Sequence, residues 1–381
     1  MSESPLHIGF DAKRLFLNNS GLGNYARTVV RGLARAFPSH HYHLYTPDLG
    51  DRPDCQVFQQ GAPFEVHTPP RTMPGTLWRT MGITNALVRD EVHLYHGLSN
   101  ELPIGIHKGT IKTLATVHDL IYRHYPAHYS RMDRVIYNGK TKYASENADL
   151  VIAISECTRA DILDAYDVPE ERVVVAYQSC DPMFYQEVGS EEGKSIRARN
   201  ALPKEYLLYV GSVNERKNLL GLVKAIELLP ESLRLPLVVV GHGGSYLRKV
   251  NRYLTSRNLT KVVYFRPGIA SEYLPAIYQG ATVFCYPSLY EGFGIPILEA
   301  LASGVPVLTS NRSSMPEAGG PGSCYVDPEE PESIAAGLQK VLEDTALRAE
   351  MVTKGRSHAD TFALDQTTRV LWRFYQEVLS R

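Results

Sequence analysis

Thr282-Val-Phe-Cys-Tyr-Pro-Ser-Leu-Tyr-Glu-Gly-Phe-Gly-Ile-Pro-Ile-Leu-Glu-Ala-Leu-Ala-Ser-Gly-Val-Pro-Val-Leu-Thr-Ser-Asn311 holds a strand, a loop, a helix and a second strand in one short run. The apolar start, Thr282–Tyr286, reads as a buried strand. Gly292 and Gly294 flank Phe293, so backbone N–H groups there can approach a ligand closely. Pro296 suits a first helical turn, where no N–H is required, and Gly304 closes the helix before Val305–Leu308. Strand, helix and strand in this order build a parallel sheet, which binds ligands at the carboxyl ends of its strands. Glu291 lies in the loop and Glu299 inside the helix, embedded in Pro-Ile-Leu-Glu-Ala-Leu-Ala. A carboxylate in so apolar a helix needs a hydrogen-bonding partner, and a ribose with two adjacent hydroxyls is a suitable one. The plainer alternative is loop glycines beside a solvated helix glutamate.

The same alternation extends in both directions. Strands are expected at Leu6–Phe10, Tyr42–Thr46, Val92–His96, Ile111–His118, Leu150–Ile154 and Val173–Ala176. Helices are expected at Leu22–Ala36, Thr76–Arg89, Ser130–Asn147 and Glu156–Ala165, the last capped by Ser155. A polar stretch, Glu187–Ser195, reads as a linker, after which strands recur at Tyr206–Val210, Leu237–Val240, Val262–Phe265, Thr282–Cys285 and Val305–Leu308. The helices expected there are Asn218–Leu229, Ser245–Arg257, Ser271–Gln279, Ile297–Ala302, Pro331–Leu342 and Leu364–Leu379. The expectation is an α/β chain of two Rossmann-like, doubly wound parallel sheets facing a central cleft. Residues 1–186 would form one domain and 187–361 the other, with the last helix, 362–381, packing back on the first.

Composition narrows the function. The chain has 381 residues, with 40 Lys+Arg against 41 Asp+Glu, a net charge of −1 that argues against a nucleic-acid binder. No apolar run approaches the roughly 18 residues that cross a bilayer, and Met1–Phe10 does not read as a secretion signal. Five scattered cysteines without a Cys-x-x-Cys pair exclude a disulfide scaffold or zinc ribbon and fit a cytoplasmic protein. Gly21-Leu-Gly23-Asn-Tyr-Ala26, with Asp48 beyond, imitates a dinucleotide fingerprint, but about ten residues separate it from the preceding strand. An anion-facing loop at a helix N-terminus is the better reading. His40-His41-Tyr-His43 reads as surface histidines rather than a metal site, and Thr76–Arg89 as a helix packed on the first sheet. The alternative for that helix is a membrane-facing role carried by Trp78, Arg79 and Arg89.

Glu291 and Glu299, spaced E-x7-E and followed by Gly-Val-Pro-Val, resemble the retaining GT-B glycosyltransferases of family 4, among them bacterial polysaccharide and lipopolysaccharide mannosyltransferases. Val210-Gly-Ser-Val-Asn-Glu-Arg-Lys-Asn218, Thr116-Val-His-Asp-Leu120, Ile154-Ser-Glu-Cys-Thr-Arg-Ala-Asp161 and Ser314-Met-Pro-Glu317 match in kind and order, over nearly the whole chain. The resemblance implies a nucleotide-sugar donor on the C-terminal domain and an acceptor on the N-terminal one. Glu299 would hold the donor ribose, and Glu291 the hydroxyls of the transferred sugar. The backbone of Phe293, Gly294 and Ile295 would lie along sugar and diphosphate, and Ile269 would pair with the base. Arg216 and Lys217 would carry the diphosphate charge, aided by Gly21, while His118 would approach the donor sugar. Some relatives carry Arg where this chain has Ser212.

The leaving nucleoside diphosphate develops charge that a metal or fixed donors must neutralise. The chain has no Asp-x-Asp to grip a divalent ion, so the resemblance implies a metal-independent hexosyltransferase with no cofactor, using GDP-mannose or a UDP-sugar as co-substrate. Its acceptor would be a glycan or lipid-linked glycan, with peripheral membrane contact conceivable and no nucleic-acid partner. A nucleotide-sugar epimerase and a non-catalytic sugar-nucleotide-binding protein are the rival readings. The epimerase does not call for the E-x7-E loop, and the binding protein predicts eroded motifs, whereas Glu291, Glu299, Arg216, Lys217 and His118 are all in place.

Overall fold

The computed structural model describes residues 4–19 and 21–381. The chain divides into two compact units: one running to Ser179 and completed by Leu364–Arg381, the other comprising Cys180–Ala363.

The first unit holds seven strands: β1 (His7–Asp11), β2 (His41–Tyr45), β3 (Phe64–His67), β4 (Leu94–Gly97), β5 (Lys112–Val117), β6 (Leu150–Ala153) and β7 (Val173–Val175). They pair in parallel in the order β3-β2-β1-β4-β5-β6-β7, so the order reverses between β1 and β4. β4, β6 and most of β5 are buried residue after residue, as expected where helices cover both faces of a parallel sheet. On one face Ile8, Phe10, Tyr42 and Leu44 pack with Leu371, Trp372, Tyr375 and Val378 of the helix Leu364–Ser380. Trp372 stacks on Phe37 at 4.2 Å and on His40 at 4.8 Å. Gly32 lets the helices come together, since a Cβ there would stand 2.4 Å from Thr368 Oγ1. Each fully buried large side chain contributes roughly 1.5–3 kcal/mol, enough for these four to fix the last helix to this sheet.

The second unit has β8 (Leu207–Val210), β9 (Leu237–Val240), β10 (Val263–Phe265), β11 (Val283–Tyr286), β12 (Val307–Ser310) and β13 (Cys324–Val326). The order is β10-β9-β8-β11-β12-β13, all parallel, with its reversal between β8 and β11. Both sheets are therefore doubly wound.

Several expectations change. The polar stretch read as a linker contributes to a helix, Ser190–Arg199, started by two glutamates and held in place by buried Ile196. Division falls after Ser179 rather than residue 186, because Phe184 and Tyr185 belong with the second unit: Phe184 packs edge-on to Tyr278, and Tyr185 donates to the Ala359 carbonyl. Thr76–Arg89 is not one helix but Gly75–Leu77, a π-helical segment Trp78–Gly82 and Ile83–Arg89. A membrane role for its Trp78 and Arg79 fails, since Trp78 is in the core and Arg79 forms a buried fork with Asp11 at 2.9 and 2.7 Å. His40 and His43 are buried too, so of this group only His41 is a surface histidine. Edge strands β3 and β13 and the helix Thr345–Asp360 are additions to the sequence reading. All five cysteines are free, and no described helix is long and apolar enough to cross a membrane.

Candidate functional site

The residues of E-x7-E and of the Val210–Asn218 turn meet at the carboxyl ends of β8 and β11, where the strand order of the second sheet reverses. After β8 the chain turns at Gly211 (φ 143°) and winds through a 3-10 turn, Glu215–Lys217. The Asn214 side chain accepts from Lys217 N at 3.1 Å, aiming both cations at the loop after β11. Asn218 sits in the left-handed region (φ 56°), where Asn is well tolerated, and its side chain caps the following helix by accepting from Gly221 N.

Glu291 is the hub. Its Oε2 lies 2.6 Å from Arg216 Nη1 and its Oε1 2.9 Å from Lys217 Nζ, all three side chains at most 14% exposed. Tyr286 and Ser288 donate their hydroxyls to Oε1 at 3.0 and 3.1 Å, and Lys217 also donates to the Tyr286 hydroxyl. Burial pushes the Glu291 carboxyl up, but Lys217 and Arg216 outweigh it and hold the group down at about 2. The trio carries a net single positive charge. Behind it, Ser314 Oγ is within 2.8 Å of both the Glu291 and Phe293 carbonyls, and Ser313 Oγ accepts from Glu291 N at 3.0 Å, fixing the loop.

Gly294 (φ 127°) opens the helix Ile295–Ala302, whose first turn contains Pro296 and no acidic side chain. Phe293 is buried against Phe362. Within that helix, Glu299 is partly buried and accepts from the Tyr278 hydroxyl at 2.7 Å. Burial raises its carboxyl to about 7, so near neutrality it exists in both forms. The apolar helix thus does give its glutamate a partner, a tyrosine. Ile269 is partly buried in the loop beyond β10, two strands from β8.

Two of the residues singled out, His118 and Gly21, lie on, or beside, the first sheet. His118 follows β5 and lines a pocket of about 210 Å³ with Arg14, Asn100, Asp119, Tyr122 and Lys140. Its ring nitrogens are both engaged: Nε2–H donates to the Leu98 carbonyl at 2.9 Å, and Nδ1 accepts from Gln178 Nε2 at 3.0 Å. Burial lowers it to about 4, so it is neutral at physiological pH. Gly21 starts the helix Gly21–Ala36, with open space where a Cβ would stand; Ser20 lies outside the described residues. His96 bridges β4 to the last helix, bonding Tyr375 Oη at 2.6 Å and Thr116 Oγ1 at 2.7 Å, a structural post. A second pocket of about 570 Å³ opens beside the Asp11–Arg79–Glu101 network, walled by Leu102, Ile104, Val135 and Ile136.

Sequence reasoning passed over Tyr286, Ser288, Tyr278, Ser313 and Gln178, and took Ser314 only as the start of the Ser314–Glu317 motif. Only Tyr286 carried a signal, as the last residue of a buried strand that ends in a hydroxyl.

Residues 193–358 match the family model described as Glycosyl transferases group 1, and residues 19–183 that of Glycosyltransferase Family 4. The chain is 31% identical over 363 residues to O-antigen chain mannosyltransferase B of Escherichia coli, spanning 92% of this chain and 94% of that one. It is 28% identical over 74% of its length to the serotype-specific mannosyltransferase WbdA of the same species, covering 34% of that longer protein. Among solved structures, Anabaena HepE in complex with UDP-glucose superposes with a TM-score of 0.76 at 18% identity, covering 98% of this chain and 100% of the other. WaaG, a glycosyltransferase involved in lipopolysaccharide biosynthesis, gives 0.72 at 22% identity over 96% and 98%.

Proposed function

The chain belongs to the family 4 glycosyltransferases, and from that premise we propose that it transfers mannose, with retention and without a metal ion, from a nucleotide diphosphate sugar to a growing cell-surface glycan. Mannose rests on the likeness to an O-antigen mannosyltransferase along almost all of both chains. The observation that carries the chemistry is the Arg216–Glu291–Lys217 cluster at the switch point of the second sheet. A departing diphosphate needs fixed positive charge, and two oriented cations beside a helix N-terminus supply it without an ion.

In this reading Arg216 and Lys217 stabilise the charge growing on the leaving phosphate. Glu291 has a carboxylate ionised at any physiological pH, suited to accept from sugar hydroxyls once the diphosphate takes over the cations. Backbone groups of Phe293, Gly294 and Ile295 line the diphosphate, Glu299 takes the ribose hydroxyls, and Ile269 meets the base. Gly21 and His118, on the first unit, are assigned to the donor by the resemblance alone. With both nitrogens engaged, His118 contributes shape rather than proton transfer. With Glu291 given over to the sugar hydroxyls in this reading, the acceptor hydroxyl attacks on the face the phosphate leaves, through an oxocarbenium-like state, and the phosphate takes its proton. The acceptor glycan belongs in the first unit's pockets.

A thermal-shift panel of GDP-mannose, UDP-glucose and other nucleotide sugars identifies the donor, because ligands raise the melting temperature with occupancy. Turnover of the stabilising donor in excess chelator, with the product's anomeric configuration read by NMR, completes the test. Retained configuration and undiminished turnover are expected. An inverted linkage, or activity restored only by a divalent ion, overturns the proposal.

A further inference from the structure

On the first sheet, far along the chain from the donor residues, β2 and β3 pair in register with His43 opposite Glu65 and Tyr45 opposite His67. Alternation puts His43, Glu65 and His67 on one face at the sheet's edge. His43 Nδ1 lies 3.0 Å from His67 Nε2, and Glu65 oxygens lie 3.6 Å from the first and 3.8 Å from the second. One ligand atom from each residue falls within 4.8 Å of the others. Metal–ligand bonds of about 2.0–2.1 Å in a tetrahedral site place neighbouring ligand atoms roughly 3.3 Å apart, close to these separations.

The far sides of both rings are supported as metal-bound imidazoles are. His67 Nδ1 is 3.3 Å from Asp90 Oδ2, and that carboxylate is itself held by the Tyr45 hydroxyl and by Arg89. His43 Nε2 is 3.0 Å from His7 Nδ1. When His67 donates to Asp90 and His43 to His7, two lone pairs confront each other at the inner nitrogens, an arrangement a cation between them satisfies; carboxylate–histidine–metal relays are built this way. Glu65 is 66% exposed and gives an ion an entry path, while Arg89, the cation nearby, is tied to Asp90 and 70% exposed.

We propose that His43, His67 and Glu65 form a site for a divalent transition ion of the zinc class, which clips the edge strand β3 to β2. Two imidazoles and one carboxylate suit zinc, cobalt or nickel and not magnesium or calcium, which take oxygen ligands. A water completes the fourth position. The clip is structural and independent of the transfer chemistry.

The full chain, freed of metal by chelator and gel filtration, is titrated with Co²⁺ and then Zn²⁺. One Co²⁺ per chain with the intense visible absorption of a four-coordinate site, displaced by Zn²⁺, and a melting temperature raised by Zn²⁺ are expected. Glu65→Gln, at an exposed position that leaves the fold intact, and His67→Gln should each weaken binding at least tenfold, while His128→Gln, at an exposed site elsewhere, should not. Absence of stoichiometric binding, or binding equal in the Glu65→Gln and His67→Gln variants, overturns the assignment.

Discussion

Replacing Glu291 by Gln tests the charge logic of the donor site. The change keeps shape but removes the one anion between Arg216 and Lys217, leaving two cations mostly out of water. The folded carboxyl sits at about 2, against 4.5 ordinarily; at 1.36 kcal/mol per unit this is roughly 3 kcal/mol of native-state preference for the ionised form. Removing one partner of a buried ion pair costs about 3–5 kcal/mol, which agrees. For a unit the size of Cys180–Ala363, each kcal/mol moves the melting temperature by about 2–4 °C, so calorimetry should show that unit melting some 6–12 °C lower. The sign with pH follows: a depressed carboxyl gives stability that is complete above pH 4.5 and lost as pH falls toward 2, and the Gln variant should lack this slope. A free nucleoside diphosphate supplies the missing negative charge, so it should bind the variant about tenfold more tightly, a gain of ~1.4 kcal/mol. Turnover should nevertheless fall by about 10²–10³. A melting temperature within 2 °C of the parent's (about half a kcal/mol to one), or a diphosphate bound more weakly, would refute the argument.

Two further outcomes follow from the buried ionisable groups. Glu299, raised to about 7, accepts from both ribose hydroxyls only when ionised, so KM for the donor should fall as pH rises through about 7, and Glu299→Gln should bind donor weakly with no such dependence; a pH-independent parent KM counts against the ribose role. In the first unit, His118 is held at about 4 and His96 at about 3, both below the ordinary 6.5. The unfolded chain then binds more protons below pH 6.5, so this unit loses about 2 kcal/mol per histidine by pH 5. Glu299 has the opposite sign in the second unit, since stability lost as pH rises from 4.5 to about 7 is regained on acidification. Calorimetry at pH 7 and 5 should show the first unit's transition falling while the second's does not; coincident shifts would contradict this.

The sequence disclosed what depends on local chemistry and hid what depends on contact. Strand β9 and the helix Glu156–Ala165 fall where the apolar runs and the Ser155 cap put them. The edge strands β3 and β13 escaped notice because one carries His67 and Glu65 and the other, Cys324–Val326, lies between Ser323 and Asp327 with a single buried side chain, so neither gives an apolar run or a clear alternation. Arg216, Lys217, Glu291 and Glu299 were legible from the motif, but their mutual arrangement was not. The motif suggests cations waiting for phosphate and an acid waiting for sugar, whereas the fold joins them in one cluster.

That difference follows from topology. β8 and β11 are neighbours at the reversal of strand order, so their two following loops must share one crevice, and groups 74 residues apart along the chain (Arg216 and Tyr290) become hydrogen-bonded. Two cations alone there would repel each other and the helix N-terminus beside them. Glu291 relieves this before any ligand arrives. The acid that the resemblance assigns to the sugar therefore also keeps the diphosphate site folded, and its replacement must register in stability as well as in turnover.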